Sequence, residues 1–168
     1  MIIIGMDNGV SGSIGIIQDD GSYEFYKTPT KSTISYTKVV QHITRIDFIR
    51  LKELLLGCVG TRTDVKVFLE RPMVNPGMFK ATVSALRALE ATLIVIEYLK
   101  YSLEYIDSKQ WQKELLPSGT KGPIELKKAS LEIGKRLFPT VDWVGSKFKD
   151  ADGILIAEWG RKQFFKKG

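Results

Sequence analysis

Three acidic residues stand where this sequence turns from apolar to polar, and carboxylates in such places can do metal chemistry. Asp7 follows the run "IIIGM", Glu70 closes "DVKVFLE", and Asp152 opens the apolar stretch of "KDADGILIAEWG". If strands ending on Asp7 and Glu70 lie side by side in parallel, their carboxylates meet at one end of a sheet. A helix laid across that edge adds Asp152. Clustered carboxylates repel unless a cation joins them, and hard divalent ions with oxygen ligands do this well. Two Mg2+ ions about 4 Å apart would activate a water and stabilise the leaving oxygen of an in-line phosphodiester attack. Taken singly, each acid also fits a loop end or a helix N-terminal charge favoured by the dipole. Two separate apolar strands that both end on an acid favour the site.

The elements that must position these acids can be read in order. Strands are expected over 1–7 and 12–18, with a third at Tyr23–Lys27 after the Asp20-Gly21 turn, forming an antiparallel meander. Asn8-Gly9 is a strong two-residue hairpin signal, yet the second apolar run begins only near Ser13, so the connection is longer. Gly9 and Gly12 are expected to leave room there for a phosphate. The stretch 42–59, "HITRIDFIRLKELLLGCV", reads as a helix, 64–70 as a buried strand, and 71–78 as a loop punctuated by Pro72, Pro76 and Gly77. A long helix over 79–100 carries Val83, Leu86, Leu89, Leu93 and Ile96 on an apolar face. Ala81, Ala85 and Ala88 form a neighbouring strip suited to close approach of another helix. "SLEYID" is a fifth strand, and helices follow over 122–138 and 151–165. The order β-β-β-α-β-α-β-α-α predicts an α/β fold, a mixed five-stranded sheet flanked by helices, in a single domain over 1–168.

Composition narrows the class. The 168 residues are 43% hydrophobic and 26% charged, an ordinary globular balance, and no apolar run approaches the ~20 residues of a membrane span. The N-terminus lacks the basic region of a secretory signal. The expectation is a cytoplasmic protein, in the host cell if phage-encoded, with an organelle left open. The single Cys58, expected as a buried helix residue, excludes an internal disulfide framework and multi-cysteine metal sites. A net charge of +6 favours polyanions. Lysines crowd the chain after Lys100, and Trp111, Trp143, Phe148 and Trp159 are interleaved with them, a pattern suited to a nucleic-acid surface.

At this point a resemblance appears. "IIIGMDNGVSGSIGII", "VFLERPM" and "ADGILIAEWGRK" resemble the three acidic motifs of the RuvC-type Holliday-junction resolvases, in their phage-like branch. "WQKELLP" with "ELKKASLEIGKRLFP" is similar to a further segment, so the likeness spans nearly the whole chain. It implies an RNase H-like fold, a homodimer through the helix near 79–100, and Mg2+-dependent paired nicking of four-way DNA junctions. Two Mg2+ per site are implied, with Mn2+ expected to substitute, and neither a small-molecule cofactor nor a membrane.

Carried over by position, the resemblance makes Asp7 the acid that bridges the metals, Glu70 the glutamate of the second motif and Asp152 the acid opening the last helix. Relatives place another acid or a histidine three or four residues before that one. Here those positions hold Lys149 and Phe148, and the neighbouring acid is Asp150. Residues two apart in a helix point about 200° from one another, so Asp150 joins the ligands only from ahead of the first turn, as an N-cap. Lys149 would then hold a phosphate. The resemblance also puts Lys121 and Lys127 or Lys128 at the scissile phosphate, and Lys109 and Lys113 are counted with the DNA-binding residues. Met73 falls where relatives carry an apolar side chain near the junction centre, and Glu90 where they favour a small residue. His42 has no assigned role.

Other readings use the same residues. An RNase H-type or packaging-type nuclease would employ the same acids, and a catalytically decayed junction-binding protein would explain Lys149. A sugar-kinase phosphate loop in "GMDNGVSGSIG" needs two such domains, for which 168 residues are too few.

Overall fold

Every residue of β1 (Ile2–Met6) is buried, and the layout follows from which face each one serves. In a strand successive side chains alternate between faces. Ile2, Ile4 and Met6 join one core with Val65, Val67 and Leu69, while Ile3 joins another with Phe68. A strand covered on both faces reads as an unbroken apolar run, as "IIIGM" does. The computed structural model describes residues 1–145 and 147–166.

β1 pairs antiparallel with β2 (Ser13–Ile17), which pairs antiparallel with β3 (Tyr23–Lys27). On its other side β1 pairs parallel with β6 (Val65–Glu70), and β6 with β7 (Ser102–Ile106). The sheet order β3-β2-β1-β6-β7 is the expected five-stranded mixed sheet. One face is covered by α1 (Phe48–Val59) and α2 (Phe79–Leu99) through Leu51, Leu55, Val59, Val95 and Ile96. The other meets α3 (Ser108–Leu115), α4 (Pro123–Leu137) and α5 (Asp152–Lys166) through Trp111, Ile133 and the apolar run of α5.

α5 lies against β1 and β2 backbone to backbone, because glycines face each other across the contact. A Cβ on Gly5 would strike the main chain of Gly153 and Ala157, one on Gly15 would strike Ile154, and one on Gly153 would strike Ser13. α4 comes equally close to the start of α5, where Gly134 lies under the side chain of Ala151.

Several expectations are corrected. Residues 42–59 are not one helix: β5 (His42–Ile46) pairs with β4 (Thr30–Ile34) in a separate hairpin, and α1 begins only at Phe48. Apolar Ile43, Ile46 and Ile49 mimic helical spacing, but the real start signal is Asp47, whose side chain accepts from the Arg50 amide at 3.3 Å. α3 has its own start signal, with Gln110 Oε1 accepting from the Asp107 amide at 2.7 Å. The inward face of α2 is rotated only in part from expectation: Ile96 is buried and Leu89 and Leu93 pack against the core as expected, but Leu86 is exposed. Ala88, Thr92 and Val95 face inward as well, so of the alanine strip Ala88 meets the chain's own core while Ala81 is exposed, and Ile94 and Tyr98 face outward.

The aromatics of the basic half are core residues, not a nucleic-acid platform. Trp111, Phe148 and Trp159 are buried, and Trp143 is half-buried against Phe25 and Phe148. The helices here are amphipathic, so lysines neighbouring in sequence point to solvent while aromatics point inward. Cys58 is half-buried on α1 rather than fully enclosed.

Candidate active site

Alternation along β1 and β6 brings the first two acids together. Gly5 pairs with Phe68 and Met6 with Leu69, so Asp7 and Glu70 come next in register, on the face that carries Phe68 and α5. Asp7 is tied down by its amide, which donates to the Ser13 carbonyl at 3.1 Å. The glycine contact then sets the first residue of α5, Asp152, beside them. Carboxylate oxygens of Asp7, Asp150 and Asp152 all lie within 4.8 Å of one another.

Asp150 sits ahead of the helix, as the spacing argument requires. The N-cap position itself belongs to Ala151, whose carbonyl accepts from Leu155, and Asp150 stands one residue earlier. Its Oδ1 accepts from the Asp152 amide at 3.3 Å and its Oδ2 pairs with Lys127 Nζ at 3.2 Å. Asp150 is buried while Lys127 is half exposed, so the lysine reaches in from the rim.

Glu70 stands at the edge of the group, its Oε2 accepting from the buried Trp111 indole at 2.8 Å. Ser130 donates to Asp152 and its Oγ accepts from the Ala151 amide at 3.0 Å, so one hydroxyl orients the acid and caps α5. Sequence reasoning gave neither Trp111 nor Ser130 a role at the acids. The available signal for Ser130 was its spacing on α4: Lys127, Ser130 and Gly134 share one helical face.

The electrostatics describe a site short of positive charge. Burial pushes the Asp7 carboxyl well above the ordinary range, and the charges of Glu70, Asp152 and Asp150 push it further. Asp152 is pushed up to about 7, first by burial and then by Asp150, against a downward pull from the Ser130 hydrogen bond. Glu70 is raised by burial and partly restored by Trp111. Lys127 is raised because the acids around it outweigh its own desolvation. Buried, mutually repelling carboxylates with one lysine at the rim fit a divalent cation.

The remaining predicted residues divide into groups. Met73 and Lys109 line a hollow of about 750 Å³ together with Glu70, Arg71, Asn8 and Gln110, so both adjoin the acidic group. Lys121 and Lys128 line a different hollow, of about 490 Å³, with Thr120, Glu125 and Glu132, apart from Lys127. Lys113 is exposed in the last turn of α3, and Lys149 is exposed ahead of α5. Phe148 stacks on Phe25 at 4.3 Å between ring centroids and has no part in the site. The room expected at Gly12 is taken by the chain itself, since a Cβ there would strike the Asp7 carbonyl.

The sheet order and the helices on its faces make this an RNase H-like fold of the RuvC resolvase type. Two solved structures show the likeness over almost the full length of both chains. Thermus thermophilus RuvC in complex with a Holliday-junction substrate superposes with a TM-score of 0.59 at 12% identity, covering 100% of this chain and 97% of that one. T. thermophilus RuvC in a second structure gives 0.57 at 13% identity, with 98% and 97% covered. The yeast mitochondrial Holliday junction resolvase Ydc2 gives 0.53 at 18% identity, with 98% of this chain and 80% of that one. No protein-family profile matches the sequence, and no curated protein matches it.

Proposed function

We propose that this protein is a divalent-metal-dependent endodeoxyribonuclease that resolves four-way DNA junctions as a homodimer by paired, symmetric nicks. The observation that carries the reading is the convergence of Asp7, Asp150 and Asp152 within 4.8 Å, beside Glu70, on the fold shared with junction resolvases. Those four acids would hold two Mg2+ ions, with Mn2+ as a substitute. When bound, the metal supplies Lewis-acid charge to the phosphate undergoing hydrolysis.

The chain's own groups have separate tasks. Trp111 holds Glu70 and Ser130 holds Asp152, so neither carboxylate needs to reorganise when charge arrives. Lys127, paired with Asp150 at 3.2 Å, neutralises part of the acidic charge from the rim and would take a phosphate oxygen. Lys109, Lys113, Lys121, Lys128 and Lys149 hold the DNA arms through phosphates, which positions the substrate without reading bases. Met73, exposed beside Glu70, meets the junction centre. Two-fold symmetry would place a second identical site against the opposed strand. Support for the dimer comes from α2, whose Phe79, Leu86, Ile94 and Tyr98 form an exposed stripe interrupted by Glu90.

The test is cleavage of a synthetic four-way junction, a linear duplex and an RNA–DNA hybrid with Mg2+, mapping nicks on every strand. Symmetric nicks confined to the junction are expected. Preferential cutting of the hybrid or shredding of the duplex would reassign the substrate, and no cutting with any divalent ion would remove the enzyme reading.

A further inference from the structure

The β4–β5 hairpin is an unusual piece of surface. Residues 25–46 contain no Asp or Glu, but hold Lys27, Lys31, Lys38 and Arg45 with five threonines and two serines. Among the described residues no ion pair involves any of those four cations. Lys31 and Arg45 are direct cross-strand partners, an arrangement in which like charges weaken the pairing. A shared anion between them would turn that repulsion into binding energy. The tip is exposed and apolar: Tyr36 is 91% exposed, and Ile34, Val39 and Val40 are all more than half exposed. Solvated side chains of this size, next to cations that have no ion-pair partner among the described residues (Lys31 lies over the Phe48 ring at 5.4 Å), mark a surface that meets something else.

The hairpin starts at the acidic end of the sheet. Lys27 pairs in register with Ser13, the Thr28 amide donates to the Gly12 carbonyl at 3.0 Å, and Thr28 lines a narrow cleft with Asp7 and Asn8. The hairpin is thus rooted beside the strand ends that carry the acids.

We propose that the β4–β5 hairpin is a DNA-gripping arm, in which Lys31 and Arg45 share a backbone phosphate and Tyr36 packs on a base or sugar further along the strand. The inference rests on the nuclease reading for its substrate and extends the DNA surface to the half of the chain that holds fewer lysines. Local charge decides against the same hairpin of a second copy as the occupant, since four cations without an acid would meet four like cations. Serine and threonine hydroxyls add ordinary phosphate ligands.

The experiment measures binding by fluorescence anisotropy over a range of salt, using Asp7→Asn protein so that nothing is cut, on a four-way junction and a linear duplex. Lys31→Ala/Arg45→Ala is expected to lower the slope of log affinity against log salt by about 1 to 2 on both DNAs. Tyr36→Ala is expected to weaken binding about tenfold with the slope unchanged. These residues are exposed or half-buried, and melting temperatures check that the variants fold; Lys38→Glu at the tip is a second charge test. Unchanged affinity and slope in all variants would overturn the proposal. So would a shift from dimer to monomer by light scattering with monomer affinity unaltered, which assigns the hairpin to a second copy. Wild type that binds duplex through the hairpin but never nicks junctions would sink the resolvase reading and leave the arm standing.

Discussion

The indole N–H of Trp111 donates to Glu70 Oε2 across 2.8 Å, and the ring that carries it is fully buried. This bond pulls the Glu70 carboxyl down while burial pushes it up. Trp111→Phe removes the donor and keeps an aromatic, though smaller, side chain. The Glu70 carboxyl then rises further, and the acid limb of Mg2+-dependent nicking moves to higher pH. Leaving a buried carboxylate without its donor costs about 1–3 kcal/mol of stability, read by urea unfolding at pH 8.

Asp7→Asn should abolish nicking yet stabilise the metal-free protein. The folded carboxyl of Asp7 is raised, so the unfolded chain releases this proton first, near pH 3.9. Stability is thus lost as pH rises from there through the folded value. In chelator at pH 8 the variant melts above wild type, and below about pH 4 the two converge. Mg2+ raises the melting temperature of wild type and not of the variant.

Metal uptake should release protons. With Asp152 pushed up to about 7, part of the site is protonated at pH 6.5 and ionises when a cation binds. Titration calorimetry of Mg2+ in two buffers of different ionisation enthalpy should give roughly one proton released at pH 6.5, falling towards none at pH 9. No buffer dependence at pH 6.5 would contradict the raised carboxyls.

Gly153→Ala sets two effects in opposition. Alanine favours a helix by about 1 kcal/mol over glycine. Its Cβ, however, would lie 2.5 Å from the Ser13 carbonyl oxygen and 2.8 Å from the Ile14 amide nitrogen, both main-chain atoms that cannot swing away. Overpacking of this kind costs about 1–3 kcal/mol or more, so net destabilisation is expected in urea. Since Asp152 rides on the same turn, Mg2+ affinity should fall as well.

Ile94→Glu tests the α2 stripe. The side chain is about half exposed, so the fold should tolerate the change. A charge buried without a partner in a dimer interface is not tolerated. Light scattering should report a monomer, and paired nicking should give way to slow, unpaired cuts.

How far the sequence could be read depended on apolar content. β1, β2 and β6 were legible because each is a short, largely apolar run, and β1 and β6 lead into an acid. The β4–β5 hairpin was not, since Thr, Ser and Lys dominate it and only Ile46 is buried. α2 was legible as a helix and only partly by face, since Leu89, Leu93 and Ile96 turn inward and Leu86 does not. With Leu, Ile, Val and Ala around much of its circumference, periodicity alone does not say which stripe turns inward. Composition likewise could not tell a stacking platform from a core, and Trp111, Phe148 and Trp159 proved to be core.

By itself the sequence determined the sheet's strands, the acids that close them and the meander that begins the fold, because burial on two faces leaves a local signature. Which acids meet was decided only by tertiary structure. The parallel register of β1 and β6 sets Asp7 next to Glu70, and the glycine contact beneath α5 brings Asp152 to both. The roles of Trp111, Ser130 and Lys127 arise from elements that join the site across 22 to 41 residues of chain. No local pattern encodes such distances, since they are fixed by packing volume and hydrogen-bond geometry once the layers close.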